Sequence, residues 1–370
     1  FVPEKVLGGI GMLSGGSNTG KPVRVLIVDD SALVRKILSE ELARDPEIEV
    51  VGTATDPYVA RDKIVQLKPD VVTLDIEMPR MNGLTFLSKM MKQHPLPVIV
   101  ISSLAGNGSD LGIRALKLGA REIITKPKIL NHSQFREYRI RIIDAVKATA
   151  LSGGKITGLR RRMDNKQIIT SDQSLSNFEN KPASRKVILL GASTGGTEVI
   201  SKILKNIRAD LPGILIVQHM PGEFTSAFAR RLNAESEVLV KEAESDDVVR
   251  DGCVYVANGF NHLLLKREGG NYKCELEMGA LVNRHRPSVD VLFRSASHFP
   301  GTEIAAILLT GMGADGAKGL LELKHTGAMT FAQDEKSSVI FGMPKEAINL
   351  DAAQKIGNPE ELIIWLNDSF

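Results

Sequence analysis

The sequence predicts an α/β protein made of two doubly wound parallel-sheet domains joined by a linker. In both halves, short apolar runs alternate with amphipathic stretches, which is the pattern of strands and helices in an open parallel sheet. Between the halves, residues 151–185 are rich in Gly, Ser, Asn, Lys and Arg and show little apolar periodicity, as linkers do. A chain of 370 residues is also too long for one ordinary core.

The first predicted domain covers residues 22–150 and contains five strand–helix units. Its first strand is the run VRVLIV at Val23–Val28, and its fifth is EIIT at Glu122–Thr125. Residues 1–21 contain Gly and Ser but lack the cationic start and the long apolar core of a secretory signal. We interpret them as a flexible leader.

The second predicted domain covers residues 186–370. Its strand candidates are the apolar runs KVILLG at 186–191, GILIVQ at Gly213–Gln218, CVYVA at 253–257 and EIAAILLT at 303–310. The segment HLLLKREGGNYKCELEM at 262–278 has Gly269-Gly270-Asn271 between two strand-like runs, which predicts a β-hairpin with its turn there. We expect this hairpin to be a small antiparallel appendage on the edge of the second sheet.

Composition and charge exclude several classes of function. The 47 basic and 44 acidic residues give a net charge of +3, which is too weak a field of one sign to recruit nucleic acid. No apolar run approaches the roughly 20 residues of a membrane span, so we expect no direct membrane insertion. Cys253 and Cys274 are far apart and in no metal-ligand spacing, which predicts neither a disulfide framework nor a zinc site and favours the reducing cytoplasm.

Three carboxylates are predicted to meet at one edge of the first sheet. Asp29 and Asp30 follow the first strand, and Asp75 ends the third, in LDIEMPRMNG. In an open parallel sheet, ligands bind outside the carboxyl ends of the strands, so these side chains should converge. Because clustered carboxylates repel each other, we expect a hard divalent cation such as Mg²⁺ to hold them together.

Two further strand ends add a hydroxyl and an ammonium to this edge. The fourth strand, VIVIS, ends at Ser102, and the fifth is followed by Lys126. Together with a metal ion, these groups would bind the oxygens of a phosphoryl group on one aspartate. Taken singly, Asp29 and Asp30 could be helix N-caps and Lys126 a surface charge, but five matching strand ends favour a binding site.

Over residues 23–126 the sequence resembles the receiver domains of two-component response regulators, which implies a flavodoxin-like fold. The resemblance implies phosphorylation of Asp75, Mg²⁺ binding by Asp29, Asp30 and Asp75, a switch hydroxyl on Ser102 and contact of Lys126 with the phosphoryl group. In one departure, Ile123 stands where many members of that family have an aromatic residue that moves with the switch hydroxyl. We therefore expect phosphorylation to act mainly by loosening or reshaping an interface.

A glycine-rich turn in the second half contains Ser193. In KVILLGASTGGTEVI, the residues GASTGG lie between an apolar strand and a helix, where glycines let the backbone turn sharply. Such a turn either binds a dinucleotide phosphate or presents a serine nucleophile, and alone it decides neither. It matches neither the G-x-G-x-x-G dinucleotide fingerprint nor the G-x-S-x-G elbow of common hydrolases.

A base and an orienting carboxylate for Ser193 are available at other strand ends. The next strand is followed by His219, which a parallel sheet can place beside the end of the previous strand, and Asp315 lies in a glycine-rich loop after another buried strand. In the same loop, Met312 can turn its backbone N–H toward a developing oxyanion. Each side chain also has a structural interpretation, as a helix cap or a packed turn histidine. The remaining histidines, including His285 in NRHRPSVD, lack a comparable partner pattern and are interpreted as structural.

Five motifs over residues 186–370 together resemble the chemotaxis protein-glutamate methylesterases: GASTGG, QHMPGEFTSAFARRL, NRHRPSVDVLF, LTGMGADGAKG and QDEKSSVIFGMP. With the receiver, the whole chain resembles the response regulators of that family. The resemblance implies a Rossmann-like domain with catalytic Ser193, His219 and Asp315, an oxyanion N–H at Met312 and support of the histidine by Thr194. In one departure, the family's Ala-Pro-Gly is Ala257-Asn258-Gly259 here, which touches no catalytic position.

By the same resemblance, the chain is expected to hydrolyse γ-glutamyl methyl esters on chemoreceptors, releasing methanol, and to deamidate certain receptor glutamines. Its partners would be methyl-accepting chemotaxis receptors as substrates and a chemotaxis histidine kinase as phosphodonor. Mg²⁺ would serve phosphorylation alone, and the ester hydrolysis would need no cofactor. The unphosphorylated receiver would cover the esterase cleft, and phosphorylation would favour an open form. In the alternative, the receiver is fused to a nucleotide-binding or scaffolding α/β module.

Overall fold

The computed structural model describes residues 21–103, 108–126, 132–153 and 178–370. The predicted leader, apart from its last residue, and residues 154–177 of the predicted linker lie outside the described residues. Both predicted parallel sheets are present, so the predicted fold class is confirmed.

The first domain is a five-stranded parallel sheet with the strand order β2-β1-β3-β4-β5. Its strands are β1 (Val23–Val28), β2 (Ile48–Ala54), β3 (Val71–Asp75), β4 (Val98–Ser102) and β5 (Glu122–Thr125). Its helices are α1 (Ala32–Leu42), α2 (Pro57–Leu67), α3 (Gly83–Gln93), α4 (Gly108–Lys117) and α5 (His132–Leu151). Helices α1 and α5 pack on one face of the sheet, and α2, α3 and α4 on the other.

Short polar side chains begin three of these helices. Ser31 caps α1, Asp56 caps α2 and Asn82 caps α3, each by accepting a hydrogen bond from a free backbone N–H of the first turn. Because Ser31 is the cap of α1, the helix does not require the carboxylates of Asp29 and Asp30 at that position. These two carboxylates remain available at the sheet edge.

The second domain is a seven-stranded parallel sheet with the order β14-β13-β12-β6-β7-β9-β8. Its strands are β6 (Val187–Ala192), β7 (Gly213–Gln218), β8 (Leu239–Glu242), β9 (Cys253–Val256), β12 (Ile304–Leu308), β13 (Met329–Gln333) and β14 (Lys355–Gly357). Its helices are α6 (Gly196–Leu204), α7 (Gly222–Glu235), α8 (Val289–Ala296), α9 (Ala317–His325), α10 (Met343–Asn349) and α11 (Pro359–Ser369), with a 3₁₀ turn at Gly301–Glu303. Helices α6, α7 and α11 pack on one face, and α8, α9 and α10 on the other.

The predicted hairpin is present as the antiparallel pair β10 (His262–Glu268) and β11 (Asn271–Glu277), with Gly269 and Gly270 at the turn. It forms a two-stranded sheet of its own, so the expected attachment to the edge of the parallel sheet is not observed. The physical reason is that the apolar side chains of one hairpin face are buried in the same cluster as α8, so the hairpin packs over that helix.

The end of the predicted linker packs on the second domain. Phe178 is buried in that core, with its ring centroid 6.2 Å from that of Tyr255. Ser184 donates a hydrogen bond to Asp251 at 2.5 Å and accepts one from Gly213 N at 2.8 Å. Residues 178–185 therefore contribute to the packing of the second domain.

The two domains pack against each other through α4 of the first and α7 of the second. One continuous hydrophobic cluster includes side chains of both helices, among them Ile113 and Phe224. At its border, Asp110 pairs with Arg230 at 3.0 Å and Lys117 pairs with Glu235. None of the described helices combines the length and the apolarity that crossing a membrane requires.

Candidate active site and acidic pocket

The three carboxylates of the acidic pocket lie together at the carboxyl edge of the first sheet. Asp29 and Asp30 follow β1, Asp75 ends β3, and one oxygen of each lies within 4.8 Å of the others. Asp29 and Asp75 are buried, whereas Asp30 is exposed. The structure therefore brings these three predicted residues to one place.

Lys126, which follows β5, is a cation of this pocket. Its ammonium donates to Asp75 Oδ2 at 2.7 Å and lies 3.1 Å from Asp29 Oδ2. Burial raises the pKa of Asp75 to about 6; the bond from Lys126 opposes this rise, and the negative charge of Asp29 adds to it. Burial also raises the pKa of Asp29, against the attraction of Lys126. One ammonium therefore leaves two buried carboxylates partly uncompensated.

The donor set of this pocket fits a hard divalent cation. Asp29 Oδ2 is buried and has no partner among the described residues other than the Lys126 ammonium. Carboxylate oxygens are the ligands that Mg²⁺ prefers, and a second positive charge would stabilise the ionised form of both carboxylates, whose burial raises their pKa values.

The two switch positions lie on neighbouring strands. Ser102 ends β4, is buried, and donates to the carbonyl of Ser103 at 3.1 Å. Ile123, at the position where the family often has an aromatic residue, is buried in the hydrophobic cluster that continues to Phe224 of the second domain. The side chain at this position is therefore part of the interdomain packing.

In the second domain, Ser193 lies in the turn between β6 and α6. The turn is possible because Gly195 takes a φ of 83°, in the left-handed region that favours glycine. Ser193 N donates to Thr310 O at 2.9 Å, and the amide of Gln218 donates to Ser193 O at 2.9 Å. Two adjoining strand ends thereby fix the backbone of the serine.

His219 follows β7, beside the turn that contains Ser193. Its backbone N–H donates to Ala192 O at 3.0 Å, and its Nε2 lies 2.8 Å from Asp315 Oδ2. Because ionised Asp315 accepts a hydrogen bond from the Nε2–H group, Nδ1 is the nitrogen with a free lone pair. Nδ1 is buried and makes no hydrogen bond with a described residue, so Ser193 and His219 lie side by side without a bond between them.

Asp315 is held by more donors than His219 alone. Its two oxygens accept hydrogen bonds from Ser288 Oγ at 2.7 Å, Asn283 Nδ2 at 2.7 Å and the backbone N–H groups of Val289 and Asp290 at 2.7 and 3.2 Å. The last two are free N–H groups of the first turn of α8, where a negative charge is favoured. Burial acts to raise the pKa of Asp315, but the bonds from His219, Asn283 and Ser288 outweigh it and hold the pKa below its usual range.

Ser193, His219 and Asp315 line a cavity of about 120 Å³, and Met312 lies on its wall. The first domain supplies the other wall, with Glu122, Arg141 and Asp144 among the lining residues. While the two domains are packed together, the first domain therefore bounds the space in front of Ser193.

A hydrogen bond joins the first domain to the residue next to Ser193. Thr194, expected to support the histidine, donates its hydroxyl instead to Glu122 Oε2, at 2.8 Å. Loss of hydration at the interface raises the pKa of Glu122 to about 7, against the bond from Thr194 and the charge of Arg141.

His285 is a site residue that sequence reasoning missed. Its ring stacks on that of His219, with centroids 3.9 Å apart and planes 16° from parallel. Burial, followed by the positive charge that His219 can carry, lowers the pKa of His285 well below its usual value, so it stacks as a neutral ring. Asn283 and Ser288 were missed as well, although all three lie in the quoted motif NRHRPSVD. That shared motif was the available signal.

The fold and the two candidate sites define a class of protein: a phosphoacceptor-type α/β domain packed over the Ser-His-Asp cluster of a hydrolase-type α/β domain. Models of known families divide the chain in the same way. Residues 25–134 match the response regulator receiver domain, and residues 188–366 match the CheB methylesterase.

Curated proteins similar to the chain match along nearly its whole length. It is 50% identical over 349 residues to protein-glutamate methylesterase/protein-glutamine glutaminase 5 of Anaeromyxobacter dehalogenans, covering 93% of this chain and 96% of that protein. It is 47% identical over 350 residues to the protein of the same activities from the group 3 operon of Rhodopseudomonas palustris, with the same coverage of 93% and 96%. The solved structure of the CheB methylesterase catalytic domain of Thermotoga maritima is 37% identical in sequence, with a TM-score of 0.49. The match covers 50% of this chain and 100% of that domain. The chain therefore belongs to the CheB family of receiver-regulated methylesterases.

Proposed function

We propose that the chain is a phosphorylation-activated protein-glutamate methylesterase that also deamidates glutamines, and that it acts on chemoreceptors in chemotaxis adaptation. The relatives that match over most of its length carry both activities in their names. The observation that supports this function most directly is the 2.8 Å contact of His219 with Asp315 beside Ser193, in a cavity that the receiver covers.

The proposed chemistry is acyl transfer through Ser193. His219 Nδ1 takes the Ser193 proton as Oγ attacks the side-chain carbonyl carbon of the glutamyl ester, and the carbonyl oxygen becomes an oxyanion facing the Met312 N–H. When the tetrahedral species collapses, the C–O bond to the methyl ester oxygen breaks, and His219 returns the proton to the leaving methoxide. Methanol departs, and a glutamyl ester of Ser193 remains.

Water completes the cycle by the same route. His219 takes a proton from water, the hydroxide adds to the acyl carbon, and Ser193 leaves with the proton that His219 returns. For a glutamine substrate, the leaving group of the first step is ammonia. In each step Asp315 accepts a hydrogen bond from the Nε2–H group of His219 and balances the imidazolium charge that forms on the ring.

The receiver is proposed to accept a phosphoryl group on Asp75 from a chemotaxis histidine kinase. Asp29, Asp30 and Asp75 would hold Mg²⁺, which supplies positive charge for the phosphoryl oxygens. Lys126 donates a hydrogen bond to Asp75, which supports a contact of its ammonium with the same oxygens, and Ser102 would provide the switch hydroxyl.

Regulation is proposed to act through the interface between the domains. The packed form leaves a cavity of about 120 Å³ over Ser193, so a receptor helix can reach the serine only after the receiver has moved. Phosphorylation would shift the population toward that open form.

The proposed function is tested on methylated receptor membranes that contain both glutamyl methyl esters and unmodified glutamines. Mass spectrometry of receptor peptides, after incubation with the protein, acetyl phosphate and Mg²⁺, should show both residues converted to glutamate. Intact esters and glutamines, together with saturable binding of NAD or a nucleotide, would support a nucleotide-binding output module instead.

Replacing Asp75 with asparagine is expected to abolish stimulation by acetyl phosphate, because an amide cannot accept the phosphoryl group. The measurement is methanol release with and without acetyl phosphate and Mg²⁺. The control is Asp62→Asn, an exposed aspartate on α2 outside the acidic pocket, which should retain stimulation. Retained stimulation in Asp75→Asn would place the phosphorylation site elsewhere.

The basal activity of the unphosphorylated protein is expected to rise with pH because of Glu122. Burial in the packed form raises its pKa from 4.5 to about 7, and we expect opening of the domains to return this carboxyl to water. The packed form then binds the proton more tightly and becomes less favoured as pH rises through this window. The charged groups that act on this carboxyl are Arg141, which favours its ionised form, and Asp144, which opposes it.

Glu122→Gln isolates this effect, since glutamine does not titrate and can still accept the Thr194 hydroxyl. The ratio of wild-type to Glu122→Gln basal methanol release should increase between about pH 5 and 7.5. A ratio that stays constant over this range would show that Glu122 does not control the packing.

A further inference from the structure

Two buried carboxylates lie close together behind His219. Asp315 is buried and accepts a hydrogen bond from His219 Nε2. Asp290, in the first turn of α8, is also buried. Burial raises the pKa of Asp290, and the negative charge of Asp315 adds to that rise. A pair of this kind is unfavourable unless donors lie between the two charges.

Asn283 supplies such a donor. Its Nδ2 donates to Asp290 Oδ2 at 2.6 Å and to Asp315 Oδ1 at 2.7 Å, so a single amide group bridges the two carboxylates. Both partners are acceptors, which fixes the orientation of the amide.

The backbone explains why an asparagine can occupy this position. Val282 and His285 exchange both of their backbone hydrogen bonds, and the two residues between them, Asn283 and Arg284, have φ angles of 51° and 70°. This is a two-residue turn with both central residues in the left-handed region, where Asn is tolerated well. The same turn also presents His285, which stacks on His219.

We infer that Asn283 is a positioning residue for the hydrolysis, which keeps Asp315 ionised and aligned with His219 by separating it from the like charge of Asp290. The inference rests on the proposed roles of Ser193, His219 and Asp315. In this role Asn283 acts on the reaction indirectly, through the Asp315 carboxylate that orients His219.

The expected effect on pH dependence has a definite sign. Removing a donor to Asp315 leaves its negative charge less compensated, so the coupled His219–Asp315 pair binds a proton more tightly. The acid limb of kcat/KM, below which His219 cannot serve as a base, must then move to higher pH. A residue that only shapes the turn would not move this limb.

Two variants keep the turn but remove the bridge. Asn283→Gly adopts the left-handed region without strain, and Asn283→Asp keeps the size of the side chain but turns an acceptor toward two carboxylates. The matched control is Asn271→Gly, at an exposed asparagine that begins β11 in the hairpin. All variants are full-length proteins activated with acetyl phosphate and Mg²⁺, and circular dichroism checks their folding.

Methanol release is measured against pH and substrate concentration. In Asn283→Gly we expect kcat to fall about 10- to 100-fold, KM to change less than about threefold, and the acid limb to rise by about one pH unit. Asn283→Asp should move the acid limb of kcat/KM to higher pH by at least as much. Asn271→Gly should have the wild-type kcat, KM and acid limb. If either folded Asn283 variant keeps the wild-type acid limb, the inference is wrong.

Ser193→Ala separates this inference from the function on which it rests. If Ser193→Ala is inactive and the acid limb of the Asn283 variants is unchanged, only the role of Asn283 fails. If Ser193→Ala retains the wild-type rate, the proposed site itself fails, whatever the Asn283 variants do.

Discussion

Ser193→Ala is expected to lower methyl-ester hydrolysis by at least about 10⁴-fold, because the proposed acyl-enzyme forms on the Ser193 hydroxyl, which alanine lacks. In activation free energy this corresponds to a loss of roughly 5.5 kcal/mol. The Ser193 side chain is buried beside His219, and its backbone is fixed through N–H and C=O, so removing the hydroxyl should leave the turn intact.

The measurement is steady-state methanol release from methylated receptor membranes under activating conditions. Ser297→Ala is a matched control, since Ser297 caps the end of α8 and, among the described residues, its hydroxyl donates to the carbonyl of Arg294, at 2.9 Å. The control should retain wild-type activity. A Ser193→Ala protein with more than about a tenth of the wild-type rate would exclude Ser193 as the nucleophile.

Gly112→Ala is expected to raise the basal activity of the unphosphorylated protein about 5- to 150-fold. Gly112 lies in α4 of the receiver, where an added Cβ would lie 2.7 Å from Phe224 Cε1 and 3.4 Å from Ile123 Cδ1. Phe224 is fully buried in α7 and cannot move aside, so the added methyl group must separate the two helices. Overpacking of this kind typically costs about 1–3 kcal/mol, which here acts against the packed form alone.

The substitution should not damage the receiver itself, because alanine is favoured over glycine in a helix interior by roughly 1 kcal/mol. Phosphorylation of Asp75 should therefore still occur, and acetyl phosphate should add little to an already raised activity. Gly112→Ala combined with Phe224→Leu gives a sharper control, since the smaller side chain makes room for the methyl group and should return basal activity toward the wild-type value. Unchanged basal activity in a folded Gly112→Ala protein would show that α4 does not restrain the esterase.

Strands β6 and β7 were predicted because their apolar runs are buried on both faces. All residues of β6 and β7 are buried, and each run is bounded by glycine or polar residues. Strands β8, β13 and β14 were not predicted. In β8 only Val240 is buried, and in the three-residue β14 only Gly357 is, so neither gives a run of apolar residues; they are strands because a neighbour pairs with them.

The residues of the candidate site also fall into two groups, those that the sequence predicted and those that it did not. Asp75, Ser193 and His219 lie at or directly after strand ends, where the rules for parallel sheets place functional groups, so sequence reasoning found them. His285 and Asn283 reach the site from a loop before α8, and their distances to His219 and Asp315 depend on how that loop folds back.

Contacts between the domains could not be predicted from either half. The bond from Thr194 to Glu122 joins residues 72 positions apart, and nothing in the local sequence of either residue indicates the other. The close approach of Gly112 to Phe224 likewise depends on the packing of two separate folds. Sequence patterns identify what each domain is built to do, whereas the restraint of one by the other depends on tertiary packing.

We propose that the receiver, packed over the serine esterase, restrains it until Asp75 is phosphorylated. The most direct test is methanol release from methylated receptor membranes by the full-length protein, before and after addition of acetyl phosphate and Mg²⁺, beside Ser193→Ala. We expect slow release that rises on phosphorylation in the wild type and none in Ser193→Ala under either condition. Release that is insensitive to the phosphodonor, or that survives in Ser193→Ala, would contradict it.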